Sequence, residues 1–194
     1  VGITIKIMAE KKKNLLVERI INLLNASFHG GAWHGPSVLE LTKGLSVKQA
    51  AFKAGNIHTI SEIIYHITSW RIFVLKRLQG DDKYNIEDDK KNWGNFAKID
   101  AFELETLMME LTLSQDELVK ELEKKEDDFL DLIVPGSEYT YYTLIQGVIQ
   151  HDIYHSGQIA IIKKLVAKSS NKFEEDDYEE SSRYFEDDLD DNLI

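Results

Sequence analysis

Four stretches of the chain repeat apolar residues every three or four positions, and strand-like alternation is nearly absent, so the apolar surface is written for helices. In the first stretch, about Glu10 to Phe28, Leu16, Ile20, Leu23, Leu24 and Phe28 share a face, and Gly30-Gly31 can take the positive φ of a helix stop. The second opens on Thr59-Ile60-Ser61-Glu62. This is a capping box, in which the hydroxyl accepts from the backbone three residues on and the glutamate reaches back. Its stripe is Ile60, Ile63, Ile64, Ile67, Trp70, Val74, Leu75 and Leu78, closed by Gly80. The third begins at Asp100-Ala101-Phe102-Glu103 and runs through Leu104, Leu107, Met108, Leu111, Leu118 and Leu122 to about Lys125. Pro135-Gly136 forces a turn. The fourth runs from about Tyr142 to about Lys168 with Leu144, Val148, Ile159, Ile162 and Val166 inward. Lys163, Lys164 and Lys168 stand near its end, where cations suit the helix dipole.

Stripes of this kind can be buried only against one another, which predicts an all-α four-helix bundle. The links between helices one and two and between two and three exceed what an up-down bundle needs, and crossover loops of that length commonly line a functional end. Ser46 to Phe52 is expected to add a short helical turn, and Asp81 to Ile99 is expected to be a long loop with Trp93 among charges.

With 194 residues, the chain suits one domain, expected over residues 10–168. It has no Cys, which removes disulfides, Cys-ligated zinc and a thiol nucleophile, and fits a reducing, cytoplasmic compartment. Any sulfur chemistry must use another molecule's thiol. The longest apolar runs, such as Ile159-Ala160-Ile161-Ile162, fall far short of the roughly 18 to 20 residues that cross a bilayer.

The net charge of −11 is concentrated, because residues 173–194 hold 11 of the 34 acidic residues and 1 of the 23 basic ones. The near-neutral remainder has no basic stripe, so neither nucleic acid nor a membrane surface is an expected partner. Residues 169–194 are expected to be a solvated, unstructured acidic tail, the alternative being an arm that docks on a partner or folds over the site. Met8-Ala9-Glu10 followed by three lysines reads as a translation start, so residues 1–9 are expected to be an N-terminal extension. The lysines follow the weakly alternating Val1 to Ile7, which argues against a secretory signal.

Chemistry concentrates in the histidines, His29, His34, His58, His66, His151 and His155. His151 and His155 lie four residues apart, about 6 Å along a helix axis. They share a row with Val148 and Ile162, so both rings face inward. Charged imidazoles there would repel, whereas neutral rings can share a divalent cation about 2.0 to 2.1 Å from each nitrogen. The natural third ligand is His66, between Ile63 and Trp70 on helix two. Three imidazoles leave a position for water or substrate and suit zinc, nickel, copper or iron. The competing reading is a set of hydrogen-bonded core histidines.

The segment His151-Asp152-x-x-His155 is also similar to the zinc-protease pattern His-Glu-x-x-His, but its acid is a methylene shorter, so Asp152 is read as a polar residue flanking the row. Around these positions, Trp70 is a pocket wall or plain core, and Gln158 is a hydrogen-bond partner for a ligand histidine or an interhelical contact. Gly157 is expected to permit close helix approach. His34 and His58 rim the cavity or face solvent. Tyr154, with Trp33, Tyr65 and Trp93, supplies an aromatic lining or anchors the helix and loops.

Three segments together carry a resemblance. Ile57-His58-Thr59-Ile60-Ser61-Glu62-Ile63-Ile64-Tyr65-His66-Ile67-Thr68-Ser69-Trp70 looks like the first signature of the DinB-like superfamily, a His followed four residues later by Trp. His151-Asp152-Ile153-Tyr154-His155-Ser156-Gly157-Gln158-Ile159 resembles the second, His-x-x-x-His-x-Gly-Gln-Ile, and Ala32-Trp33-His34-Gly35-Pro36-Ser37 is similar to a segment of one branch. The resemblance implies a four-helix bundle with a divalent metal, commonly nickel or zinc, on His66, His151 and His155. It also implies kinship with enzymes that use low-molecular-weight thiols such as bacillithiol or mycothiol, and with proteins that often dimerise through helix faces. The expected function is thiol-dependent S-transfer to a small electrophile. A metal-dependent hydrolase is the alternative, and a non-catalytic, stress-associated metal-binding bundle is the second.

Overall fold

Each long helix starts where something satisfies the backbone N–H groups that a first turn leaves free. The computed structural model describes residues 14–94, 96 and 98–186, with side chains as far as Lys168. Within them lie α1 (Leu15–His29), α2 (Val38–Thr42), α3 (Val47–Ala50), α4 (Ile60–Leu78), α5 (Asp89–Trp93), α6 (Ala101–Leu122), a 3-10 helix (Asp127–Asp131) and α7 (Tyr141–Glu186). The chain is all-α, and a single antiparallel bridge, Ile133 to Thr140 around the Pro135-Gly136 turn, is its only β pairing among the described residues.

The predicted capping box at Thr59 forms, and the expected start of the third helix at Asp100 carries a second. Thr59 N–H donates to Glu62 Oε2 at 2.7 Å while Glu62 N–H donates to Thr59 Oγ1 at 3.2 Å. Asp100 and Glu103 exchange the same pair at 2.9 and 2.8 Å. Helix α1 is capped from a distance, since Asn14 contributes no side-chain bond. Asp127 Oδ1 instead accepts from Leu16 and Val17 N–H at 3.0 and 2.9 Å.

The four long helices pack on one another, α4 chiefly on α6 and α7, and α1 on α7 and α6. Their buried faces form two apolar clusters. One gathers Leu24, Val74, Leu118, Ile145 and Ile149 with their neighbours, and the other gathers Phe28, Ile63, Ile67, Leu111 and Ile159 with theirs.

A polar layer separates the two. Arg71 of α4, with no exposed surface, donates to Asp152 of α7 and to Gln115 of α6, and Gln115 Nε2 donates to Asn25 Oδ1 of α1 at 2.9 Å. The guanidinium lies 4.5 Å over the Phe28 ring. One side chain from each long helix therefore meets at mid-height.

Several expectations change. Leu16 and Leu23 are exposed, and Val17 takes the inward place, because the buried row is Val17, Ile20, Leu24 and Phe28. The link between α1 and α4 carries two short helices, one at the expected turn (α3) and one unexpected (α2). The segment 81–99 is not all loop, since α5 forms within it, capped by Asp88 accepting from Lys90 N–H at 2.8 Å. The last helix continues past Lys168 to Glu186, so Lys163 is not at its end, and its Nζ instead donates to the Leu41 carbonyl of α2 at 2.6 Å. Gly157 is exposed, and a Cβ there would meet nothing within 4 Å, so it serves no close helix approach. The expected extension at residues 1–9 lies outside the described residues, as do the side chains of the acidic segment. No described helix is long and apolar enough to cross a membrane.

Candidate metal centre

Two turns of α7 and one of α4 bring three imidazole nitrogens together. His151 Nε2 lies 3.0 Å from His66 Nε2 and 3.1 Å from His155 Nε2, and the three ligand atoms fall within 4.8 Å of one another. His66 and His155 are buried and His151 is half-buried.

Outer hydrogen bonds aim two of the rings. His66 Nδ1–H donates to the Asn92 carbonyl of α5 at 3.1 Å, and His155 Nδ1–H donates to Gln158 Oε1 at 2.7 Å. Both Nε2 atoms therefore present lone pairs inward. This is the arrangement that orients metal-binding imidazoles. A proton on His151 Nε2 can serve only one of the two neighbours, so protein atoms alone leave a lone pair facing a lone pair. A shared cation removes the conflict. Nitrogens about 2.0 to 2.1 Å from one ion and about 90 to 110° apart lie about 2.8 to 3.4 Å from each other, a range that contains both separations measured from His151.

The electrostatics point the same way. Burial, opposed by the Asn92 bond and reinforced by His155, holds His66 down at about 4. Burial first and the neighbouring His155, His66 and Arg71 charges next hold His151 at about 3. Burial also lowers His155 against the pull of its Gln158 bond. The rings are neutral at pH 7, the state in which imidazole binds metal.

Aromatic rings wall the cluster. Trp93, at the end of α5, stacks flat on His66 with centroids 3.8 Å apart, and His58 stacks on Trp93 at 3.6 Å. His58 is itself 3.2 Å from Glu62 through Nδ1, so it rims the site at the surface, and Tyr154 is largely exposed with its ring 5.0 Å from that of His155. Trp70 approaches His151 and His66 at 5.7 and 6.3 Å, and its buried Nε1 has no protein partner. His34 and Trp33 are exposed, with no contact to the triad among the described residues.

Asp152 faces away from the three imidazoles, into the core. Burial pushes its carboxyl up to about 6 against the pull of Arg71, which holds it in the polar layer. It is thus a core partner of Arg71, and the protease-like reading of His151-Asp152-x-x-His155 loses its base.

Sequence reasoning missed Asn92, because a backbone carbonyl carries no side-chain signature. It also missed Arg71 and Gln115, although both interrupt inward rows, at Ile67-Arg71-Val74 and Leu111-Gln115-Leu118. A polar residue at such a position requires a buried partner.

Fold and site together define an all-helical protein with a three-histidine cluster that can hold a metal ion. The profile of the DinB superfamily matches residues 33–159, and the chain belongs to that superfamily. No curated protein and no solved structure matches it.

Proposed function

We propose that the protein is a cytoplasmic, divalent-metal-dependent enzyme, with nickel or zinc on His66, His151 and His155, that transfers a low-molecular-weight thiol to a small electrophile. The observation that carries the reading is the convergence of three Nε2 atoms, two of them, on His66 and His155, turned inward by bonds to Asn92 and Gln158, with His151 Nε2 between them. A cation there supplies a position at which a thiol loses its proton near neutral pH, giving a nucleophile that a Cys-free chain cannot provide. His66 and His155 stay fixed as acceptors because their other nitrogens are occupied, and Trp93 covers one face of His66 and keeps water from it.

Thiol transfer is preferred to hydrolysis because the one carboxylate beside these histidines in sequence, Asp152, is engaged by Arg71, and among the described residues the cluster itself contains no acid. No carboxylate of the cluster is therefore placed to act as a general base for water.

Untagged protein, assayed by elemental analysis and by product mass with and without a small thiol, tests the reading. Stoichiometric metal and a thiol adduct formed only when thiol is present are expected. Hydrolysis product without thiol would establish the hydrolase instead, and bound metal with no turnover of either kind would leave a non-catalytic metal protein.

A further inference from the structure

Beside His151 a cleft of ≈ 280 Å³ opens between α4 and α7, and its walls are mostly apolar: Trp70 and Val74 on one side, Leu144, Gly147 and Val148 on the other. Its volume is just under the roughly 300 Å³ at which drug-sized pockets begin, so it suits one small group.

Gly147 shows why the space exists. It lies inside α7, one turn before His151, where glycine costs the helix about 1 kcal/mol relative to alanine. A Cβ built there meets nothing within 4 Å, so no tight packing accounts for the glycine. Helical side chains lean toward the N-terminal turn, and on this row that turn is Thr143 and Leu144, both cleft residues. Gly147 is exposed where it lines the cleft, so a long side chain at 147 that leans toward this turn would narrow the space.

We propose that this cleft is the subsite for a short alkyl or aryl group of the small substrate, held against Trp70 and Val74 with its reactive end toward His151. The inference rests on the metal-centre reading above, because His151 joins the cleft to the triad. An apolar group gains about 0.8 kcal/mol per buried methylene, which is about fourfold in affinity, so chain length is the natural reporter.

Two titrations separate this subsite from the metal reading. Calorimetry of the metal-free protein with straight-chain alkanols, butanol to octanol, should show affinity rising about fourfold per methylene until the cleft is full. Gly147→Leu should abolish that dependence while its Tm stays level or rises, and Gly147→Ala should weaken it. Affinity independent of chain length in the parent protein, or an unchanged dependence in Gly147→Leu, would overturn the proposal. In the second titration, the corresponding alkanethiols are added to cobalt-loaded protein and the sulfur-to-cobalt absorption is followed. A band whose midpoint improves with chain length supports the subsite. A band indifferent to chain length keeps the metal reading and removes the subsite. Alkanol binding without any band retains the apolar cleft and removes the thiol chemistry.

Discussion

The Arg71–Asp152 pair should respond very differently to loss of one member and loss of both. Both side chains have no exposed surface, and Arg71 also donates to Gln115. Asp152→Asn keeps the shape of the carboxyl but deletes its charge. The guanidinium cannot shed its proton, so it stays charged in the core without a counter-ion, at a cost of about 3 to 5 kcal/mol. With a slope near 2 kcal/mol per molar urea, the denaturation midpoint of the metal-free protein should fall by about 2 M.

Arg71→Met is gentler in one respect. Asp152 is already raised to about 6 with Arg71 present, and without it the carboxyl can neutralise itself by binding a proton. The Arg71→Met penalty should therefore shrink as pH falls from 8 to 6, while the Asp152→Asn penalty should not shrink, because the parent's own Asp152 begins to bind a proton there and the amide cannot. Urea melts across that range, read by far-UV circular dichroism, separate the two. A loss below about 1 kcal/mol for Asp152→Asn, or identical pH dependence for both variants, would refute the account of a charge pair isolated from water.

Three further outcomes follow from the same geometry. His66→Ala should lose stoichiometric metal by elemental analysis while remaining helical, and retained metal would show that the third ligand lies elsewhere. The metal-free protein should weaken in acid. His66 and His151 fall from 6.5 to about 4 and about 3 on folding, so below 6.5 the unfolded chain binds protons that the native one refuses, at about 1.4 kcal/mol per pH unit per ring. Asp152, raised from 3.8 to about 6, works in the opposite sense below pH 6 but offsets only one ring, so a net loss of about 2 kcal/mol between pH 7 and 5 is expected in urea melts, and a flat profile would contradict it. Asp127→Ala should cost about 1 kcal/mol by uncapping α1, with metal content unchanged.

The parts of the architecture legible in sequence were those set by local periodicity and local hydrogen bonds. The stripes of α4 and α6 and the capping boxes at Thr59 and Asp100 need only neighbouring residues, and they stand where the pattern puts them. The convergence of His66 with His151 and His155 was legible for the same reason, since each sits in the row of its own helix that faces the core. What depended on partners far along the chain was not. Asp127 caps α1 across more than a hundred residues, and α5 is held where Trp93 meets two histidines, although its own sequence, Asp89-Lys90-Lys91-Asn92-Trp93, looks like solvated loop. Leu23 misled because α1 offers several apolar rows, and only packing chooses among them.

That choice of rows bears on why a buried ion pair sits at the height of the metal centre. Apolar stripes alone leave a helix free to slide by a turn or rotate, because another set of isoleucines and leucines can fill the same space. Arg71 and Asp152 admit one register. His151 and Asp152 are consecutive, about 100° apart around α7, so the turn that sends the carboxylate to Arg71 sends the imidazole to His66. Replacing the pair with Arg71→Met and Asp152→Leu should thus recover most of the stability lost by either single change, as apolar substitutes for buried pairs commonly do. The same protein should bind zinc about 10-fold or more weakly in chelator competition, the scale on which groups that orient metal ligands act. If the double variant were stable and held zinc as tightly as the parent, packing alone would set the register, and the polar layer would have no part in forming the site.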